Sequence, residues 1–201
     1  MATRWYQEKK REHYYKQAKR TGYRARSAFK LLQIQKKFDV IKPGDVVIDL
    51  GAAPGGWSQV AKKLVEDSGA IIGIDLLPIN PIKDVTFLKD DMTKDEALQK
   101  IKDIIDGKQA DVILSDMSPD ISGNYSVDQA RSIYLCEQAV KTVDMLLKPG
   151  GHFVCKVFAG EDLQDLRNYI NKKFKMVKHY SPPASRKSSS EIYIIARFFK
   201  K

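Results

Sequence analysis

One lysine stands where a charge is costly. Lys156 lies in Phe153-Val154-Cys155-Lys156-Val157-Phe158, an apolar run with the length of a buried strand. An ammonium group taken out of water must be paired or held neutral. The other reading lays its stem along the strand and lets its head reach water. Two carboxylates are candidate partners. Asp116 follows an apolar stretch in Ser115-Asp116-Met117-Ser118-Pro119, where its plain role is to start a turn. Glu191 opens the final apolar stretch and is the only acid among residues 172–201, against nine Lys and Arg; its plain role is an edge-strand charge. Lys30 sits beside Phe29 and Leu31 on a predicted helix and, read alone, belongs to a solvated face. A neutral lysine among such groups is a base, so the chemistry on offer is removal of a proton from a weak acid.

A second constellation points to a ligand. Asp49-Leu50-Gly51-Ala52-Ala53-Pro54-Gly55-Gly56-Trp57 joins a predicted strand to a predicted helix. Glycines there, Gly51 and Gly55 among them, let a ligand approach the backbone closely. The spacing is not the G-x-G-x-x-G of a dinucleotide site, and Trp57-Ser58 replaces the Lys-Ser/Thr of a P-loop. A plain Gly-rich turn is a further reading. An adenosylmethionine pocket, which needs no phosphate cradle, fits better. Asp75 closes the second predicted strand and could accept both ribose hydroxyls. Asp91 follows the third and could accept from an adenine amino group. Acids beside the ligand tolerate a sulfonium and would repel a diphosphate.

The elements that must hold these groups alternate. Strands are predicted at 46–50, 70–75, 85–88, 110–115 and 152–158, and helices at 24–37, 57–66, 94–105, 127–147 and 162–173. This β-α-β order implies a parallel sheet with helices on both faces. Two last strands, 176–180 and 192–198, have no helix between them and suggest a hairpin. Lys148-Pro149-Gly150-Gly151 is predicted as a turn. Cys136 and Cys155 stand in apolar segments and read as small buried hydrophobes, with no disulfide or zinc spacing.

The net charge of +10 is not spread evenly. Residues 1–42 hold thirteen Lys and Arg against three acids, while 43–201 balance at twenty-two of each. A neutral-to-acidic body with basic ends suggests that a polyanion is gripped at one face. The chain therefore divides into a basic N-terminal arm and helix at 1–42, packing on the body, and a catalytic domain at 43–201. Arm lysines and arginines would hold phosphates, and Trp5, Tyr6, Tyr14 and Tyr15 could stack on bases or pack the arm down. No run approaches the 18 apolar residues of a membrane span, and no signal-peptide h-region is present, so a cytoplasmic location without membrane contact is expected.

The motifs D-L-G-A-A-P-G-G-W (49–57), S-D-M-S-P (115–119), K-P-G-G-H-F-V-C-K-V-F (148–158) and S-S-E-I-Y (189–193), led by R-A-R-S-A-F-K-L (24–31), resemble the FtsJ/RrmJ methyltransferase family over nearly the whole chain. The resemblance implies an α/β, Rossmann-like class I S-adenosylmethionine methyltransferase fold. Its sheet would have seven mostly parallel strands and an antiparallel last strand. It implies 2′-O-methylation of a uridine in large-subunit (23S) ribosomal RNA, with the assembled 50S subunit as a candidate substrate and a monomer as the active form. The family's Lys-Asp-Lys-Glu tetrad falls on Lys30, Asp116, Lys156 and Glu191. Its cofactor contacts fall on Gly55, Trp57, Asp75, Asp91 and Asp116, and Gly51 belongs to the same turn. Lys156 would act as general base, Lys30 and Glu191 would position the hydroxyl, and Asp116 would orient Lys156 and the methionine end. No metal is required, because a sulfonium is already a good leaving group. The rival readings are the same chemistry on a tRNA anticodon loop or mRNA cap, a non-catalytic RNA-binding ribosome-assembly factor, and a nicotinamide-dependent oxidoreductase, which the glycine spacing disfavours.

Overall fold

Strand alternation sorts the apolar side chains onto two faces of one sheet. A computed structural model describes residues 14–186 and 189–200. In chain order its elements are α1 (Ala28–Phe38), β1 (Val46–Leu50), α2 (Gly56–Val65), β2 (Ala70–Asp75), β3 (Val85–Lys89), α3 (Asp95–Ile104), β4 (Ala110–Ser115), α4 (Tyr125–Leu146), β5 (Leu147–Phe158), α5 (Leu163–Lys173), β6 (Phe174–Tyr180) and β7 (Glu191–Phe199). Residues 14–21 are also helical. The seven strands lie in the order β3-β2-β1-β4-β5-β7-β6. The pairs among β1–β5 are parallel, whereas β7 runs antiparallel to both β5 and β6. The last two strands do form the predicted hairpin, but β7 inserts between β5 and β6 instead of closing the edge.

Each face has its own core. Val47, Ile71, Val112, Leu114, Val154 and Ile195 point toward α1 and α2, where Leu31, Ile34, Trp57 and Val60 cover them. Ile48, Leu50, Ile72, Ile113, Phe153 and Ile194 point toward α3, α4 and α5. The same two-residue period fixes polar positions. Val154 packs on the α1 side and Cys155 on the other, so Lys156 turns back toward α1. Tyr193 is its partner across the β5–β7 ladder and shares that face. Ser115 closes β4 at the same end of the sheet.

Two departures from the sequence reading have local causes. Helix α1 begins at Ala28, not at residue 24, because backbone groups just before it are used elsewhere. The Arg24 N–H donates to Gln59 Oε1, and Ser27 O accepts from Trp57 Nε1. The predicted turn at 148–151 is absorbed into β5. Its ladder with β4 starts at Leu147–Ala110 and shifts register before Val112–His152. Of the basic arm, Trp5 and Tyr6 lie outside the described residues. Tyr14 packs against Phe29 at 5.5 Å between ring centroids, whereas Tyr15 is exposed beneath Lys19 Nζ. The two cysteines are buried as expected, and they meet, with Sγ atoms 2.9 Å apart. Among the described residues no helix is long and apolar enough to cross a membrane.

Helix α1 is thus a layer of the body, and Ile34 at its centre is fully buried. Ile34→Ala should lower unfolding stability by about 2–5 kcal/mol in denaturant titration. A cost near zero would show that α1 is not docked on the sheet.

Candidate active site

The carboxyl ends of the parallel strands converge on two adjoining features, a cleft and a buried polar chain. The cleft, about 320 Å³, is lined by the Gly-rich turn after β1, the ends of β2 and β3 with the residues that follow them, and the stretch after β4. Gly51, Asp75, Asp91 and Asp116 are among its walls, with Leu76, Leu77, Met92 and Met117 supplying apolar surface. Gly51 sits at φ 72°, and a Cβ there would lie 2.5 Å from Met117 Cγ, so only glycine fits between the turn and the β4 loop. Asp75 binds the cleft together. Its carboxylate accepts from Ala53 N at 2.9 Å and from Leu77 N at 2.8 Å, joining the Gly-rich turn to the segment after β2. Asp91 accepts from the hydroxyl and the N–H of Thr93, and these bonds hold its carboxyl below the usual carboxylate range.

Neither Gly55 nor the Trp57 side chain borders this cleft. Gly55 is packed under Arg24 and Ile82, where a Cβ would come within 3.0 Å of the guanidinium. The Trp57 ring is buried and lies 5.7 Å from the Tyr193 ring.

Beside the cleft runs the polar chain. Lys30 and Lys156 are only 6% and 7% exposed, so the solvated-face reading of Lys30 does not hold. Lys30 Nζ donates to Glu191 Oε1 at 2.6 Å and to the Tyr193 hydroxyl at 3.1 Å. That hydroxyl donates to Asp116 Oδ1 at 2.6 Å. Lys156 Nζ lies 3.2 Å from the same Oδ1 and donates to the Asp116 main-chain oxygen at 2.6 Å. Ser185 Oγ supports Glu191 Oε1 at 2.8 Å. All four predicted tetrad residues therefore meet, and Asp116 belongs to both the chain and the cleft.

Sequence reasoning assigned no role to Tyr193, which joins the two halves of the tetrad. The available signal was spacing: two residues past Glu191 on a strand, it must share that residue's face. Burial, then the nearby Asp116 and Glu191 carboxylates, push its hydroxyl well above the ordinary tyrosine range, so it stays a neutral linker. Asp49 is a second residue that no sequence pattern marks out. It is fully buried on β1, accepts from Ser58 Oγ at 2.6 Å and leaves Oδ1 without a partner. Desolvation, opposed by the Ser58 hydrogen bond and reinforced by Asp116 and Asp75, pushes its carboxyl up to about 7.

A sheet of this order, with an acid-walled cleft at the parallel strand ends and an antiparallel β7, defines a class I methyltransferase. The crystal structure of a ribosomal RNA methyltransferase described from Plasmodium falciparum superposes with a TM-score of 0.82 at 30% identity, covering 88% of this chain and 98% of that one. The FtsJ-like methyltransferase model matches residues 23–199, and the chain belongs to that family. Among its relatives, the ribosomal RNA large subunit methyltransferase E of Methanocaldococcus jannaschii is 48% identical over 198 residues, 96% of this chain and 81% of the relative. The protein of the same name from Acinetobacter baumannii is 45% identical, over 98% of this chain and 91% of its own length.

The raised Asp49 carboxyl has a consequence for stability. Unfolded, this group ionises near 3.8; folded, it ionises near 7, so unfolding releases a proton between those values. Its contribution therefore turns unfavourable as pH climbs from about 4 to 7 and stays so above. Asp49→Asn should remove that slope. In thermal melts the variant should gain on the parent between pH 5 and pH 8, with parallel curves counting against the buried neutral acid.

Proposed function

We propose that this chain is an S-adenosylmethionine-dependent methyltransferase that acts on a ribose 2′-hydroxyl of a uridine in large-subunit ribosomal RNA. The observation that carries this reading is the double duty of Asp116, which walls the cleft and frames the Lys156 amine at 3.2 Å. A donor in the cleft and a hydroxyl at the lysine would then be neighbours. The residues fit such a donor: carboxylates at the ends of β2 and β3, a close-approach glycine at position 51, and apolar walls from Leu76, Leu77 and Met92. When bound, S-adenosylmethionine supplies a methyl group activated by the adjacent sulfonium.

The chain's own residues do the rest. Lys156, as the neutral amine, takes the proton of the hydroxyl as the oxygen becomes nucleophilic. The carboxylate and main-chain oxygen of Asp116 stabilise the ammonium that results. Lys30, fixed by Glu191 and Tyr193, holds a second cationic donor beside the reacting oxygen. Tyr193 keeps the two lysines in register. Much of the acceleration comes from aligning the acceptor oxygen with the methyl group, which a rigid set of strand-borne side chains does well.

The RNA substrate is supported by charge and by kinship. Helical residues 14–21 and the loop at 181–186 lie together, since Ala184 packs with Ala18 and Phe29 and its N–H donates to Gln33. Ser185 of that loop reaches Glu191, so the basic segments at both ends of the chain meet beside the tetrad. The relatives' names supply large-subunit ribosomal RNA as the substrate class. On this reading the protein works as a monomer in the cytoplasm, with large-subunit ribosomal RNA, free or within the assembled 50S subunit, as its partner.

Radiolabelled methyl transfer to 50S subunits, free ribosomal RNA and tRNA, followed by mapping of ribose methyls by primer extension, tests the assignment. The expected product is a 2′-O-methyluridine in the large-subunit RNA; label confined to tRNA or to a base would overturn it. Lys156→Ala should cut turnover by about 10²–10⁴-fold with RNA binding intact. Near-normal turnover would remove the lysine from its role.

A further inference from the structure

Arg24 belongs to the basic segment expected to hold phosphates, yet its guanidinium is spent on main-chain carbonyls of the body. Nη1 donates to Asn80 O at 2.5 Å and to Pro54 O at 3.2 Å, and Nη2 donates to Pro81 O at 2.7 Å. Pro54 lies in the Gly-rich turn. Asn80 and Pro81 lie in the segment after β2 whose first residues, Leu76 and Leu77, wall the cleft. Asp75 ties the same two segments from within by accepting their N–H groups, from Ala53 and Leu77. An anion thus gathers the amide hydrogens on the cleft side, and a cation gathers the carbonyls on the outer side.

We propose that Arg24 is a donor-positioning residue: its guanidinium clamps the Gly-rich turn and the β2 loop into the shape that receives S-adenosylmethionine, and links that shape to the RNA-facing N-terminal segment. The inference rests on the methyltransferase reading given above. Arg24 touches neither the cleft nor the tetrad and acts through the two loops. A planar fork with several fixed N–H groups suits three carbonyls on two strands of backbone, which a single ammonium cannot span.

The surrounding contacts make the clamp stiff. Gln59 on α2 accepts from Arg24 N and donates to Gly22 O, fastening the segment on both sides of the arginine. Trp57 Nε1 holds Ser27 O three residues on. Gly55 and Gly56 leave room for this close approach: added Cβ atoms would meet Arg24 Nη1 at 3.0 Å and Ala25 Cβ at 3.2 Å. Lys30 follows on α1 after one further turn of chain. Movement of residues 22–27 on RNA engagement would therefore be felt both by the donor cleft and by the tetrad. Coupling of that kind is reciprocal, so a bound donor would tighten RNA binding by the factor through which RNA tightens donor binding.

Titration calorimetry with S-adenosylmethionine and with S-adenosylhomocysteine on the parent, Arg24→Gln and Arg24→Lys tests the clamp, alongside filter binding of in vitro transcribed large-subunit ribosomal RNA. The parent must bind both ligands; failure there would sink the methyltransferase reading itself. Arg24→Gln should weaken donor affinity about tenfold and raise donor KM by a similar factor. Its kcat at saturating donor should stay within about twofold, and RNA affinity measured without donor should be unchanged. Arg24→Lys, retaining one of the carbonyl contacts, should fall between. The gain in RNA affinity on adding S-adenosylhomocysteine should shrink in both variants. Loss of RNA affinity with donor affinity intact would make Arg24 a phosphate contact and overturn the proposal. Unchanged donor affinity in either variant would do so as well.

Discussion

Two lysine amines, those of Lys30 and Lys156, are held almost wholly out of water, and the architecture around them follows from the need to give each buried head a fixed partner. An unpaired buried charge costs several kcal/mol, so each lysine must be met by fixed oxygen atoms. Glu191 meets one and Asp116 the other. The Tyr193 hydroxyl joins the two pairs by accepting from Lys30 and donating to Asp116. Removing any member strands a partner in a low-dielectric site, which makes the five residues a unit.

Such a unit requires elements from across the chain to arrive at one point. Helix α1 brings Lys30, the end of β4 brings Asp116, β5 brings Lys156 and β7 brings Glu191 and Tyr193. The antiparallel insertion of β7 matters here. It places Tyr193 directly opposite Lys156 and Glu191 opposite Phe158, so that the start of β7 meets the end of β5. In a sheet continued in parallel from β5, the neighbouring strand would offer its own carboxyl end instead, as β4 does with Ser115 beside Cys155.

Much of this is legible in the sequence. Period-two apolar runs and Gly/Pro punctuation located every strand, and the cost of a lysine in an apolar run singled out Lys156. The unread parts depend on contacts that no local pattern encodes. Lys30 has the spacing of a solvated helix residue, and only the docking of α1 over the β5–β7 pair buries it. Tyr193 looks like any β-forming aromatic until its register with Lys156 is known. Arg24 has the composition of a phosphate-binding arm, but its partners are main-chain oxygens of residues 30 and 57 positions away. Asp49 lies within the Gly-rich motif, yet its lack of a second hydrogen-bonding partner is visible only in three dimensions.

The longest of these links joins Lys30 to Glu191 across 161 positions of chain. A ribosome delivers the lysine early and its counter-ion only after six strands have been made. Until then Lys30 has no Glu191 to pair with. Burial of the two lysines therefore waits on β7, which pairs with β5 on one side and brings β6 into the sheet on the other. A nascent chain can thus display a nearly finished sheet while being chemically inert.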